Sequence, residues 1–176
     1  MIPLLLAAAG AASSAALARG LFLGYPEKSI EGRTLGAKEQ AIVAACADAF
    51  FPPGGPIPIS GTEAGLVRYF DEYVARLPKG QAVLVRLLLW FIEHAPWIFG
   101  PSRTRFSALG LDARLAVLQR MHQSPIYFRR VAFLSMRTIL TMGYLAHPDV
   151  MRAMRMAHDA TPFEARPAPR AVEVHP

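Results

Sequence analysis

Apolar residues recur at helical spacing through most of this chain, and no stretch alternates convincingly with period two. In "LGAKEQAIVAACADAFFP" the pattern runs through Ile42, Cys46, Ala49 and Phe50. Pro52 and Pro53 end that helix, because proline offers no N–H to the helical ladder. A second helix is predicted from "SGTEAGLVRYFDEYVARL". Ser60 and Glu63 stand at capping-box spacing, and Leu66, Phe70, Tyr73, Val74 and Leu77 form one face. Arg68, Asp71, Glu72 and Arg76 fall mostly on the other face and read as solvated, ion-paired side chains.

The third segment, "LPKGQAVLVRLLLWFIEHAPWIFGP", is apolar almost all round from Val83 to Ile92. Such a helix is central in a bundle or faces lipid. Ten strongly apolar residues interrupted by Arg86 are too few to span a bilayer, and Pro96 is expected to limit the helix. A basic loop follows, then a short amphipathic helix with Leu111, Leu115, Leu118 and Met121. Ser124 is expected to cap a further helix with Pro125 in its first turn, running to about Ala146. Pro148 begins a last short helix, and the proline-rich stretch at 159–176 reads as an extended tail.

These elements predict an all-α fold: an irregular bundle of about five or six helices over residues 35–158, with an apolar N-terminal helix and an extended C-terminal tail. The N-terminal stretch, residues 1–24, holds seventeen uncharged residues from Ile2 to Ala18, close to the lower limit for a membrane span. "ALA" at Ala16–Ala18 resembles a small-residue cleavage site, yet no Lys or Arg precedes the apolar run. A cleaved signal, an uncleaved anchor and a helix docked on a partner all fit, with membrane contact through residues 2–23.

Composition sharpens this picture. Hydrophobic residues make up 53% and charged residues only 18%, and the mean hydropathy is +0.27. A small monomer would struggle to hide that apolar surface, so a large subunit interface or membrane contact is implied. The net charge is +6, with a pI of about 10.0. Because the arginines lie inside apolar helices and not along one polar face, membrane or an acidic partner fits better than nucleic acid.

Catalytic and metal signatures are absent from the sequence. One cysteine, Cys46, excludes an internal disulfide and a four-cysteine zinc site. There is no HExxH, no GxSxG and no GxGxxG. "PPGGPIPISGTEAG" resembles a phosphate loop only in its glycines: the lysine followed by Ser or Thr is missing, and the flanks are helical. It reads as a stiff connector. His94 sits near a helix end, where a cationic imidazole suits the dipole, and His147 sits where it can cap. No catalytic, cofactor or metal residue is assigned. The interface candidates are the aromatic cluster Trp90, Trp97 and Phe99, and the helical arginines Arg129, Arg130 and Arg137, of which Arg130 and Arg137 share a face.

Residues 35–123 resemble the small-subunit family of gluconate 2-dehydrogenase. The matching positions are Leu35, Glu39, Ala44, Ala45 and Pro52, then Ala64, Gly65, Leu66, Tyr69, Phe70 and Asp71. Leu111, Leu115 and Leu118 extend the match loosely. The resemblance implies a helical, non-catalytic companion of a flavin-dependent dehydrogenase of the glucose–methanol–choline type. FAD and the substrate site belong to the large partner, and the companion supports its folding, export or membrane association on the periplasmic side. The twin-arginine export signal common in that family is missing here, which favours anchoring or hydrophobic docking. The alternative is a membrane-associated scaffolding subunit of a larger complex.

Overall fold

A computed structural model describes residues 25–32, 34–100 and 103–160 of the chain. Among them it has six α-helices and no strand: α1 (Ala37–Phe50), α2 (Leu66–Arg76), α3 (Lys79–Phe99), α4 (Leu111–His122), α5 (Tyr127–Leu145) and α6 (Pro148–Ala160). A single 3₁₀ turn, Phe106–Ala108, stands between α3 and α4. The apolar N-terminal segment and the C-terminal tail from residue 161 lie outside the described residues.

The central helix is α1; the third helix, expected to be either central in the bundle or lipid-facing, is not the central one. It packs against α2, α3, α4, α5 and the 3₁₀ turn. Its buried residues are Gln40, Ile42, Val43, Ala45, Cys46, Ala47 and Ala49. Alanines let neighbouring backbones approach from several sides, because interaxial distance follows side-chain size. Gly61 shows how close that approach is: a Cβ there would collide with the Ala47 carbonyl. In contrast α3 buries only Leu89, Ile92, Glu93, Ala95 and Pro96. It also runs past Pro96 to Phe99, so that proline does not end it. Gly100 N–H still bonds the Pro96 carbonyl at 2.9 Å and closes the last turn.

Two further expectations are corrected. Asp71 is buried, not solvated. Its Oδ1 accepts N–H bonds from Thr34 (3.0 Å) and Leu35 (2.7 Å), holding the entry to α1. The predicted Arg76–Glu72 pair does form, at 3.2 Å on the exposed side of α2. The Ser60–Glu63 box also forms, with Ser60 N–H to Glu63 Oε2 at 2.7 Å and Glu63 N–H to Ser60 Oγ at 3.3 Å. It caps a turn and not the helix, because Gly65 adopts φ 71° and α2 starts only at Leu66.

The connector between α1 and α2 is tied at both ends. Gly61 N–H bonds the Phe51 carbonyl at 2.9 Å, and the Thr62 N–H and hydroxyl bond Asp48 Oδ1 at 2.9 and 2.8 Å. Phe51 stacks on Tyr144 with centroids 3.8 Å apart, and the Tyr144 hydroxyl donates to the Ile59 carbonyl. The stiff connector therefore packs down onto α5. The segment before α1 is held in the same way by Gln40. Its Oε1 accepts from Ser29 N–H (2.9 Å) and Ile30 N–H (3.2 Å), and its Nε2 donates to the Ile30 and Leu35 carbonyls.

Candidate partner interface

Because α1 occupies the centre, α3 lies against the bundle with one face outward. Val83, Leu84, Leu87 and Ile98 are each more than half exposed. Trp90 and Trp97 are 40% and 41% exposed. Positions 83, 87, 90, 94 and 97 recur three or four apart, so they form one stripe along the helix. At 1.5 Å per residue this 21-residue helix is about 30 Å long. Large apolar patches of this kind mark interaction surfaces.

By length and composition α3 is also long and apolar enough to cross a membrane, with 28% of its apolar window buried. The whole helix thus exceeds the ten-residue run on which a span was discounted. Its two internal charges nevertheless face the bundle. Arg86 pairs with Glu39 at 3.2 Å and donates to the Thr34 carbonyl at 2.8 Å. Glu93 is fully buried. It accepts from the Tyr25 hydroxyl (2.8 Å), Ser107 N–H (3.0 Å) and Ser107 hydroxyl (2.6 Å). These polar contacts give α3 one committed inner face, and the apolar stripe is what remains outside.

Above Glu93 the charges crowd. Lys38 Nζ stands 3.5 Å from the Trp90 ring centroid and 5.3 Å from that of Tyr25. The Arg105 guanidinium lies 4.2 Å from the Tyr25 ring. Burial is the main influence on all three titrating neighbours. It holds the Lys38 ammonium below its usual value and the Tyr25 hydroxyl well above its own, where the Glu93 hydrogen bond adds to the shift. Burial, followed by the Lys38 charge, also lowers His94. A neutral imidazole is therefore favoured there, which removes the proposed role of a His94 cation at the helix end. His147 contributes to the start of α6 through its backbone, its carbonyl accepting from Met151 N–H at 3.0 Å.

The sequence-selected aromatics go to different neighbours. Trp90 meets Lys38 and His94, and Trp97 stays on the exposed stripe. Phe99 lies under Arg129, whose guanidinium carbon is 3.4 Å from the ring centroid. Phe91, 6.0 Å from Phe99, meets Phe128 edge-on at 4.9 Å. The end of α3 and the start of α5 thereby form one aromatic–arginine junction. Arg130 joins it, donating to the carbonyls of Ser124 (2.6 Å) and Pro125 (3.0 Å). Arg137 does not. It lies two turns along α5 beside a shallow cleft of about 340 Å³ lined also by Leu134, Met142 and Leu145.

Sequence reasoning missed Leu84, Leu87, Phe128 and Glu93. The first two sit in a run whose one polar position, Arg86, does not mark the outer side. Glu93 did leave a signal, as the one acidic residue in the whole of α3. Among the described residues no three His, Cys, Asp or Glu side chains come together as a metal site. Cys46 is fully buried, and burial pushes its thiol well above the usual range, so it behaves as a small core residue. No family model, curated protein or solved structure matches the chain.

Proposed function

We propose that this chain is a non-catalytic accessory subunit that docks the outer face of α3 onto a larger protein. The observation that carries the reading is the apolar stripe from Val83 to Ile98, with Trp90 and Trp97 along it, whose one cation, the half-exposed Arg86, is paired with Glu39. Aromatic anchors on a stiff, well-packed element suit docking, because little ordering entropy is lost on association. The sequence resemblance names the partner class: a flavin-dependent dehydrogenase of the glucose–methanol–choline type that holds FAD and the substrate site. The chain would support that partner's folding, export or membrane association on the periplasmic side.

The test is affinity purification of the full chain at native expression level, reading flavin absorbance in the eluate. The expected result is a flavoprotein in fixed ratio. Leu84→Asp with Leu87→Asp should abolish recovery and leave the melting temperature within about 2 °C, because both side chains are exposed. Elution of the chain alone as a soluble monomer overturns the proposal. A second reading, a membrane-associated scaffolding subunit, is favoured by the length and apolarity of α3. Carbonate washing of membranes separates the two: retention of the chain supports insertion, and release counts against it.

A further inference from the structure

Between residues 94 and 137 the chain has seven arginines and no lysine, against a single acidic residue, Asp112. That quarter of the sequence carries the entire net charge of +6, and the remainder is neutral. In sequence these arginines run from Arg103 to Arg137. The fold brings several of them to one end of the bundle, where α3 finishes and α5 begins. Arg120, Arg129, Phe99 and Pro96 line a common cleft of about 310 Å³, and Arg130 follows directly.

The same end exposes a run of large apolar side chains. Ile126, Tyr127 and Phe128 are 50%, 73% and 58% exposed, and on α3 Phe91 meets Phe128 while Phe99 lies under Arg129. The arginines among them are held in place. Arg129 is stacked on Phe99, and Arg130 is fixed by the Ser124 and Pro125 carbonyls.

We propose that this end of the bundle is a binding surface for anionic lipid headgroups. Arginine cations attract a negatively charged bilayer surface, while tyrosine and phenylalanine rings settle at the boundary between headgroups and acyl chains. Tyr127 suits that boundary, having an apolar ring and a polar tip. An acidic protein would match the charge equally well. Successive helical positions point about 100° apart, so Ile126, Tyr127 and Phe128 fan out around the start of α5, an arrangement that a fluid headgroup boundary accommodates and a single rigid protein pocket does not. The surface uses Phe99 and the start of α5 and none of the exposed stripe from Val83 to Ile98, so it goes beyond the docking role of α3 and does not depend on it.

The experiment is sedimentation of the full chain with vesicles of phosphatidylcholine alone and of equal parts phosphatidylcholine and phosphatidylserine. Any charge-indifferent insertion of apolar segments contributes to both, so the anionic-to-neutral ratio is the readout. That ratio should be well above one and should fall with salt. Each arginine near an anionic surface is worth about fivefold, so Arg129→Gln with Arg130→Gln should lower the ratio roughly 25-fold. Tyr127→Glu, at the most exposed position, should lower it with no change in thermal melting. Leu84→Asp with Leu87→Asp should leave it unchanged, so loss of docking registers only in the purification assay. Equal binding to both vesicles, or a ratio that survives both variants, overturns the proposal. Loss of a co-purifying acidic protein with an unchanged lipid ratio also overturns it.

Discussion

Replacing Glu93 by Gln tests whether the buried carboxylate organises the inner face of α3. Three donors converge on it: the Tyr25 hydroxyl and Ser107 hydroxyl on Oε1, and Ser107 N–H on Oε2. Hydrogen bonds to a charged acceptor contribute about 1.5–3 kcal/mol each, and neutral ones about 0.5–1.5 kcal/mol. Glutamine keeps the shape but offers one oxygen acceptor and one NH₂ donor. With the oxygen toward the two hydroxyls, both remaining bonds weaken by about 1 kcal/mol each. The NH₂ then faces Ser107 N–H, and an unsatisfied donor there costs about 2 kcal/mol more. The total is about 4 kcal/mol. For a chain of this size each kcal/mol moves the melting temperature by about 2–4 °C, so the variant should melt roughly 10 °C lower. Circular dichroism melts with urea titrations measure this directly. Combining the change with Tyr25→Phe should give a non-additive cycle, because Glu93→Gln weakens the bond that Tyr25→Phe removes. A loss below about 1 kcal/mol, or a gain, would show that desolvation of the carboxylate cancels its hydrogen bonds, as replacement of buried charges by neutral groups sometimes does.

Three other outcomes follow from the same contacts. Because His94 is held below its ordinary 6.5, the unfolded chain binds more protons than the folded one between the folded value and 6.5. Its contribution to stability is complete above that window and declines as pH falls through it, so the wild-type melting temperature should drop more steeply than that of His94→Gln from about pH 7 to about pH 5. Parallel curves would count against the assignment. Asp71→Ala removes the acceptor for the Thr34 and Leu35 N–H groups and should destabilise by about 2–4 kcal/mol in urea titration. A change within about 0.5 kcal/mol would return Asp71 to the solvated face. Gly61→Ala drives a Cβ into the Ala47 carbonyl and should lower stability by about 1–3 kcal/mol, whereas Gly80→Ala, with open space around it, should be neutral or slightly stabilising in the same measurement.

Much of the architecture is legible in single segments. Helical spacing marks each of the six helices, and Pro52, Pro53, Gly54 and Gly55 mark the connector, because periodicity and backbone restriction are properties of a few adjacent residues. The Ser60–Glu63 pair is legible as well, but where α2 begins is decided by Gly65, whose φ of 71° breaks the turn from the helix. Asp71 looked solvated because it shares a helix with Arg68, Glu72 and Arg76. The N–H groups that bury it come from residues 34 and 35, far away in the chain.

The apolar stripe of α3 shows the same limit from the other side. Both α1 and α3 lack a clear polar face in sequence, and hydrophobicity alone leaves α3 either central or facing outward. Side-chain volume decides between them: α1 has alanines where neighbours must come close, and Leu84, Leu87, Trp90 and Trp97 keep an exposed side. The amino-acid sequence by itself determined an all-helical chain, its connector, its excess of apolar surface and its positive charge. Only the tertiary structure decided which helix is buried, which carboxylates are satisfied inside, and that Arg120 and Arg129 meet Phe99 at the end of α3. Helix formation depends on neighbours a few residues apart, whereas burial and the gathering of charge depend on contacts between segments distant in the chain.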